Sequence, residues 1–305
     1  MEKILIIKHG ALGDWILATG VFKAIRIKHP KAHIVLLTES AYLPLAKQSG
    51  YFDELWIDNR QGFLETLKVL FKIRKAEFSS IYDIQRAGRT KGYYYFLKAF
   101  KRKNFFWSGN IESAPGFFVD DLNQHIVDRM ALQLKAAHIN TFPDPNISWL
   151  TADITPFKVS KPYALIIPGC AKHRPKKRWT AEGYAEVIAY LAKQSIQSVL
   201  IGTEADRDII EAILNECKNL KPLNLINKTS FAELAELARQ AEFILGSDTG
   251  SMHIAANTGT DSLTLFCSTE SIPQFNKAWG EQARAIEVQD LNCLGALEVI
   301  GALQH

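Results

Sequence analysis

Three short segments carry the side chains that could work on an anionic substrate. The first, Lys8-His9-Gly10-Ala11-Leu12-Gly13-Asp14, leads from a short apolar run into a helical pattern. Its glycines let a ligand approach the backbone closely. Asp14 opens the helix, where a carboxylate can serve as a general base or simply cap the helix and offset its dipole. The second segment, Pro168 to Trp179, holds five basic residues: Lys172, Arg174, Lys176, Lys177 and Arg178. Such cations pair well with a diphosphate, and they suit a plain surface loop equally. The third, Gly246-Ser247-Asp248-Thr249-Gly250-Ser251-Met252-His253, joins a strand pattern to a helix pattern. Hydroxyls and free backbone N–H groups at a helix start favour an anion, although the same run also reads as a well-capped turn. His253 could touch a ligand or be structural. Neither GxGxxG nor GxxxxGK[ST] occurs, which argues against a P-loop nucleotide hydrolase.

The elements that must position these segments alternate along the chain. Apolar runs at Ile4–Ile7, Ile34–Leu37, Leu55–Ile57, Ile81–Ile84, Ala164–Ile167, Ser198–Ile201, Phe243–Leu245 and Leu263–Phe266 predict strands. Helical patterns fall at about Gly13–Lys28, Phe63–Lys75, Asn123–Ala137, Thr180–Lys193, Asp206–Cys217, Ser230–Gln240 and Ser251–Asn257, with Ser230 as N-cap and Glu233 at the capping-box position. Strands alternating with helices imply α/β architecture with parallel sheets and right-handed crossovers. Residues 143–162 contain four prolines and no sustained period, which places a domain boundary there. No internal repeat is legible. Open parallel sheets bind ligands at the carboxyl ends of their strands, and all three segments sit at such ends.

Composition agrees with two ordinary globular domains. The chain has 305 residues, 47% hydrophobic and 22% charged, and each half is long enough to bury its own core without metal or disulfide. Four cysteines without a CxxC pair argue against a zinc ribbon or disulfide framework and fit a reducing cytosol. The apolar run Ile4–Ile7 is too short for a signal peptide, and no run approaches the ~20 residues of a membrane span. The net charge of +4 is unevenly spread: residues 68–103 hold 11 basic residues against Glu77 and Asp83 alone. That stretch reads either as a solvated helix or as a surface for an anionic partner. Neither half is strongly basic overall and no nucleic-acid motif appears, so no nucleic-acid partner is expected.

In this order the segments resemble the heptosyltransferases of glycosyltransferase family 9. KHGALGD followed by ATG resembles the family's opening strand and Gly-Asp turn, and YDIQRAGRT at 82–90 its Asp-Leu-Gln segment with a following Arg. HIVDR at 125–129 matches a weaker pattern, KRW at 177–179 resembles Lys-x-Trp-Pro, and SDTGSMHIAA at 247–256 resembles the family's most specific signature. The chain departs from the pattern where Gly20 follows Thr19, where Thr180 replaces a proline, and across 85–123.

The resemblance implies a GT-B fold: two Rossmann-like, doubly wound domains facing across a cleft. Residues 1–155 would bind the acceptor and 156–305 the nucleotide sugar, with the last helix packing back on the N-terminal domain. It implies an inverting transfer of heptose from ADP-heptose to an acidic, lipid-linked core sugar of lipopolysaccharide. Asp14 matches the general base and Lys177 the contact to the donor diphosphate. Gly13, Asp248, Thr249, Gly250, Ser251 and His253 fall in the donor-binding turns. Glu204, with Asp206 as competitor, falls near the ribose, and Thr229 near the adenine. Arg60, Arg86 and Arg89 fall in the acceptor region. No cofactor is required, since the ADP-sugar is a substrate, and the resemblance implies no divalent metal. The expected location is cytoplasmic, peripheral on the inner face of the cytoplasmic membrane, with an anionic membrane surface as a further partner. Two other readings fit the same residues: a GT-B transferase or epimerase using a UDP- or GDP-sugar, and a non-catalytic nucleotide-binding module.

Overall fold

The computed structural model describes residues 1–304 apart from 101–104 and 171–172. Lys101, Arg102 and Lys103 of the basic stretch and Lys172 of the basic loop therefore lie outside the described residues. The chain divides into two compact units, Met1–Trp149 and Leu150–His305. The break falls inside the proline-rich segment, ahead of the expected 155/156.

Each unit is built on a six-stranded, wholly parallel sheet. In the first, β1 (Lys3–Ile7), β2 (His33–Thr38), β3 (Glu54–Ile57), β4 (Ser80–Asp83), β5 (Phe106–Gly109) and β6 (Gly116–Phe117) run in the order β3-β2-β1-β4-β5-β6. In the second, β7 (Tyr163–Ile167), β8 (Gln197–Leu200), β9 (Leu223–Asn224), β10 (Phe243–Ser247), β11 (Ser262–Cys267) and β12 (Ala283–Val288) run β12-β11-β10-β7-β8-β9. Counted from its own first strand, each sheet has the same Rossmann order, so one topology occurs twice in a sequence with no visible repeat. This is the α/β fold of two Rossmann-like units that the GT-B resemblance implies.

The central strands are buried on both faces and read as unbroken apolar runs: KILII in β1 and YALII in β7 are the innermost segments of their sheets. Register aligns their exits. Ile7 stands opposite both Leu37 and Asp83, and Ile167 stands opposite Gly246, so the segments after β1 and β4, and after β7 and β10, leave each sheet side by side.

The helix expected over 13–28 is two helices, Leu12–Leu17 and Thr19–Lys28, which meet at Ala18. The Thr19 hydroxyl donates to the Ile16 carbonyl at 2.7 Å, a local bond that competes with the helical ladder. Gly20 explains the departure beside it: a Cβ there would lie 2.2 Å from the Pro143 carbonyl oxygen. The last helix, Ala296–Leu303, buries Ala296 and Val299 in the core of the second unit with Tyr184, Val187 and Leu191. The reason is composition, since ALEVIGAL supplies apolar residues that close that core.

The Ser230 cap forms a full capping box: its hydroxyl accepts from Glu233 N at 3.3 Å while Ser230 N donates to Glu233 Oε2 at 2.7 Å. Ser230→Ala removes one of the two bonds and should cost about 1 kcal/mol, a fall in Tm of roughly 2–4 °C for a unit of this size. An unchanged melting curve would mean that the box contributes nothing to stability.

Candidate active site

At the carboxyl edge of the first sheet, the chain leaving β1 is held by buried polar side chains. Lys8 is almost fully buried; its ammonium donates to the Gly10 carbonyl at 2.9 Å and to Gln85 Oε1 at 3.5 Å. The same amide oxygen accepts from His9 N at 3.0 Å and Gly10 N at 3.3 Å. Gln85 thereby fixes the turn that delivers Gly13, buried, and Asp14. The Asp14 carboxylate lies 3.7 Å from the Lys8 ammonium and is 50% exposed. Burial pushes the Lys8 pKa down, against the pull of Asp14. Asp14 is thus anchored on one side and open to a ligand on the other.

The same turn is tied through His9 to a carboxylate the sequence did not single out. Asp58, just past β3, has no solvent exposure. It accepts from His9 Nε2 at 3.0 Å, from Arg89 Nη2 at 2.9 Å, from Arg60 N at 2.9 Å, and from the Tyr93 hydroxyl. Burial alone would raise its pKa, but the bonds from His9 and Tyr93 outweigh it and hold the carboxyl well below its usual range. A second missed carboxylate, Asp120, takes both arms of Arg129, at 2.7 and 2.9 Å, and Arg86 at 3.4 Å. Burial again opposes, yet Arg129 and Arg86 carry the Asp120 pKa down. The three arginines expected to meet the acceptor are therefore unequal. Arg86 is buried against Asp120, and Arg89 is spent on Asp58 and Tyr93. Arg60, in left-handed backbone at φ 61°, pairs with Glu39 and keeps its side chain 48% exposed.

The second unit repeats the plan with different chemistry. The basic loop after β7 ends in Lys177, whose buried ammonium donates to Asp248 Oδ2 in the turn after β10. An ammonium has three protons to give, and this is its one hydrogen bond among the described residues. Thr249 caps the helix Gly250–Ala256, its carbonyl accepting from Met252 N at 3.1 Å and His253 N at 3.3 Å. Gly250 and Ser251 open that helix half-buried, and His253 is buried within it. The structure thus brings Lys177 together with Asp248, the first residue of the 248–251 turn. Gly169 must be glycine, because a Cβ there would lie 2.2 Å from the Asp206 carboxyl. Asp206 is consumed locally: its Oδ2 accepts from Thr203 N and from the Thr203 hydroxyl, both at 2.9 Å. Glu204 is exposed, held by Arg207 at 2.5 and 2.7 Å and by Asn227 Nδ2 at 2.5 Å, which leaves it the accessible acid of the two. Thr229 lies half-buried in the loop before the Ser230 cap.

Each Rossmann-like unit offers a charged group at its sheet edge, a half-open carboxylate in the first and a buried ammonium in the second. The sequence matches glycosyltransferase family 9 (heptosyltransferase) over residues 120–301, and the chain belongs to that family. It is 23% identical over 291 residues to lipopolysaccharide heptosyltransferase 3 of Escherichia coli, covering 88% of this chain and 83% of that protein. Its fold resembles a family 9 glycosyl transferase from Veillonella parvula, with TM-score 0.84, 18% identity, and 99% and 96% of the two chains covered. It also resembles the ADP-heptose lipopolysaccharide heptosyltransferase II of E. coli, with TM-score 0.78, 21% identity, and 99% and 98% covered.

One buried acid near Asp14 gives a pH signature. Asp83 ends β4 with no exposure, and its Oδ1 accepts from Arg86 N at 2.9 Å. Burial pushes its pKa up to about 6, against the pull of Thr90 and Arg86. The unfolded carboxyl titrates near 4, so between about pH 4 and 6 the folded state binds more protons, and stability from this group falls as pH rises. Asp83→Asn keeps an acceptor for Arg86 and removes that fall. The variant should gain on the wild type between pH 4 and 7 by at most about 3 kcal/mol, read as the difference in urea unfolding. A difference independent of pH would show that Asp83 titrates normally.

Proposed function

We propose that this chain transfers a heptose from ADP-heptose, with inversion at the anomeric carbon, to an acidic, lipid-linked core sugar of lipopolysaccharide. The observation that carries the reading is the buried Lys177 ammonium joined to Asp248 at the carboxyl edge of the second sheet. A cation in that position, with protons to spare, suits a leaving diphosphate. The names of the E. coli relative and fold neighbour, lipopolysaccharide heptosyltransferase 3 and ADP-heptose lipopolysaccharide heptosyltransferase II, support the acceptor class and the donor.

In this reading Asp14 takes the proton from the acceptor hydroxyl as that oxygen attacks the anomeric carbon. A positioned base of this kind contributes roughly 10²–10⁴-fold. The bond to the diphosphate breaks as the new one forms, and ADP leaves with its growing charge met by Lys177 and by the N–H groups of Thr249, Gly250 and Ser251. Donors aimed at developing charge are worth roughly 10²–10³-fold each. Glu204 holds the ribose hydroxyls, and Thr229 borders the adenine. Gly13 counts among the donor-binding residues in this reading. Arg60, the exposed arginine, meets the acceptor's phosphates first, with Arg86 and Arg89 behind it. The protein's own cations take the place of a divalent metal, and the enzyme works at the inner face of the cytoplasmic membrane.

Thermal shift against ADP, UDP and GDP tests the donor site, and turnover of ADP-heptose tests the chemistry. ADP alone should raise the Tm of the wild type, and Lys177→Ala should weaken that shift and lower kcat by roughly 10²–10³. Asp14→Asn should keep the ADP shift and lower kcat by roughly 10²–10⁴. EDTA should leave both unchanged. Preference for UDP or GDP would remove the heptose donor, and a fully active Asp14→Asn enzyme would remove the base.

A further inference from the structure

Away from its sheet edge, the first unit presents an outward face made by the helices Gly62–Ala76 and Gly88–Ala99. Each buries one side in the core, Val69, Leu70 and Ile73 from the first and Tyr93, Tyr94 and Leu97 from the second. The outer side should then be polar throughout, but exposed rings and a leucine are interleaved with its charges. Phe63 and Leu64 are each 73% exposed, and Phe71, Tyr95 and Phe100 about half exposed. Phe96 lies 5.5 Å from Phe71 and 4.5 Å from Phe100 between ring centroids, so the three rings form one surface cluster.

Five exposed cations frame these rings: Lys68, Lys72, Arg74, Lys75 and Lys98. Three of them lie over aromatic faces, Lys72 at 3.9 Å from Trp56, Lys98 at 5.5 Å from Tyr94 and Arg74 at 5.7 Å from Phe100. None forms an ion pair among the described residues. Two acids lie on the first helix or at its end. Glu65 accepts from Gln61 N at 2.6 Å, and Glu77 is exposed past the last turn.

We propose that this face docks on an anionic phospholipid bilayer. Aromatic rings suit the boundary between headgroups and acyl chains, and lysines on long stems reach lipid phosphates while their stems cover apolar surface. The composition selects a bilayer over a protein partner. Protein interfaces are depleted in lysine, and four of these five cations are lysines. Juxtaposed cations gain from the negative surface potential of anionic lipid. The inference deepens the proposed function by naming the surface on which a lipid-linked acceptor would be met, and it rests on that reading for this role; lipid binding itself stands on the face alone.

Flotation of the full chain with phosphatidylcholine vesicles, and with vesicles in which phosphatidylglycerol replaces part of the lipid, tests it. The protein should float only with the anionic vesicles and be released by salt. Lys68→Glu/Lys72→Glu/Lys75→Glu should lower partitioning on the order of tenfold or more, and Phe71→Ser/Phe100→Ser should lower it at unchanged charge. Unchanged melting temperatures show that the variants are folded, and the lysine reversals, on exposed side chains, keep the test standing if removing the rings unfolds the helix pair. Absence of wild-type flotation, equal flotation with neutral lipid, or lysine reversals that float like the wild type would overturn the proposal. So would variants that turn a dimer into a monomer without changing lipid binding. An ADP shift without flotation would sink the docking face and leave the donor reading intact; flotation without an ADP shift would do the reverse.

Discussion

A carboxylate buried without a full set of donors would be among the most expensive groups a fold can carry, and the first unit is arranged around one. Asp58 is satisfied by His9 from the end of β1, by Arg89 and Tyr93 from the helix after β4, and by the backbone of Arg60. It ties three chain exits at one sheet edge to each other. Because His9 is both an Asp58 partner and a neighbour in the turn held by Gln85, the position of Asp14 depends on a charge far from it in sequence. All four donors meet on one carboxylate with no solvent exposure, which makes the cluster a support for the site.

The corresponding charge in the second unit is open. Lys177 and Asp248 bury one ammonium against one carboxylate, with a single bond between them among the described residues. The pair neutralises itself well enough to be buried, while two protons of the ammonium are left for an incoming anion. This difference in saturation, more than the charge of any residue, distinguishes the supporting cluster from the one suited to substrate. It also orders the arginines: Arg86 and Arg89 are paired with carboxylates 10% and 0% exposed, whereas Arg60 pairs with Glu39, 21% exposed, and keeps half of its own side chain open.

Most of the strands that were legible in the sequence are buried on both faces, where an unbroken apolar run is the physical requirement. β1, β2, β4, β7, β8, β10 and β11 carry such runs, and the edge strand β3 was legible from its three apolar residues Leu55–Ile57. β6 and β9 have two residues each, and β12 is an edge strand that alternates, ARAIEV, so none of them shows the signal. β5, FWSG, has a glycine and a serine where a run would need apolar residues. The helices at 181–193, 207–217 and 231–239 were legible from period and caps, whereas the break at Ala18 was not, since the apolar pattern continues through it.

The site was legible to the extent that it depends on strand exits, and illegible where it depends on pairing. A turn such as 8–14 or 246–253 follows a strand directly, so its place at the sheet edge comes with the strand. The partners of Arg86 and Arg89 are 34 and 31 residues away, and no spacing rule connects them. A sequence shows these arginines as three equivalent cations; only the fold shows that burial has already assigned two of them. The same reasoning applies to the basic stretch 68–103. Its charges looked uniform along the chain, but the helices direct Arg89 inward to Asp58 and leave Lys68, Lys72, Lys75 and Lys98 around exposed rings. Helical geometry thus divides one basic stretch between holding the site and facing outward.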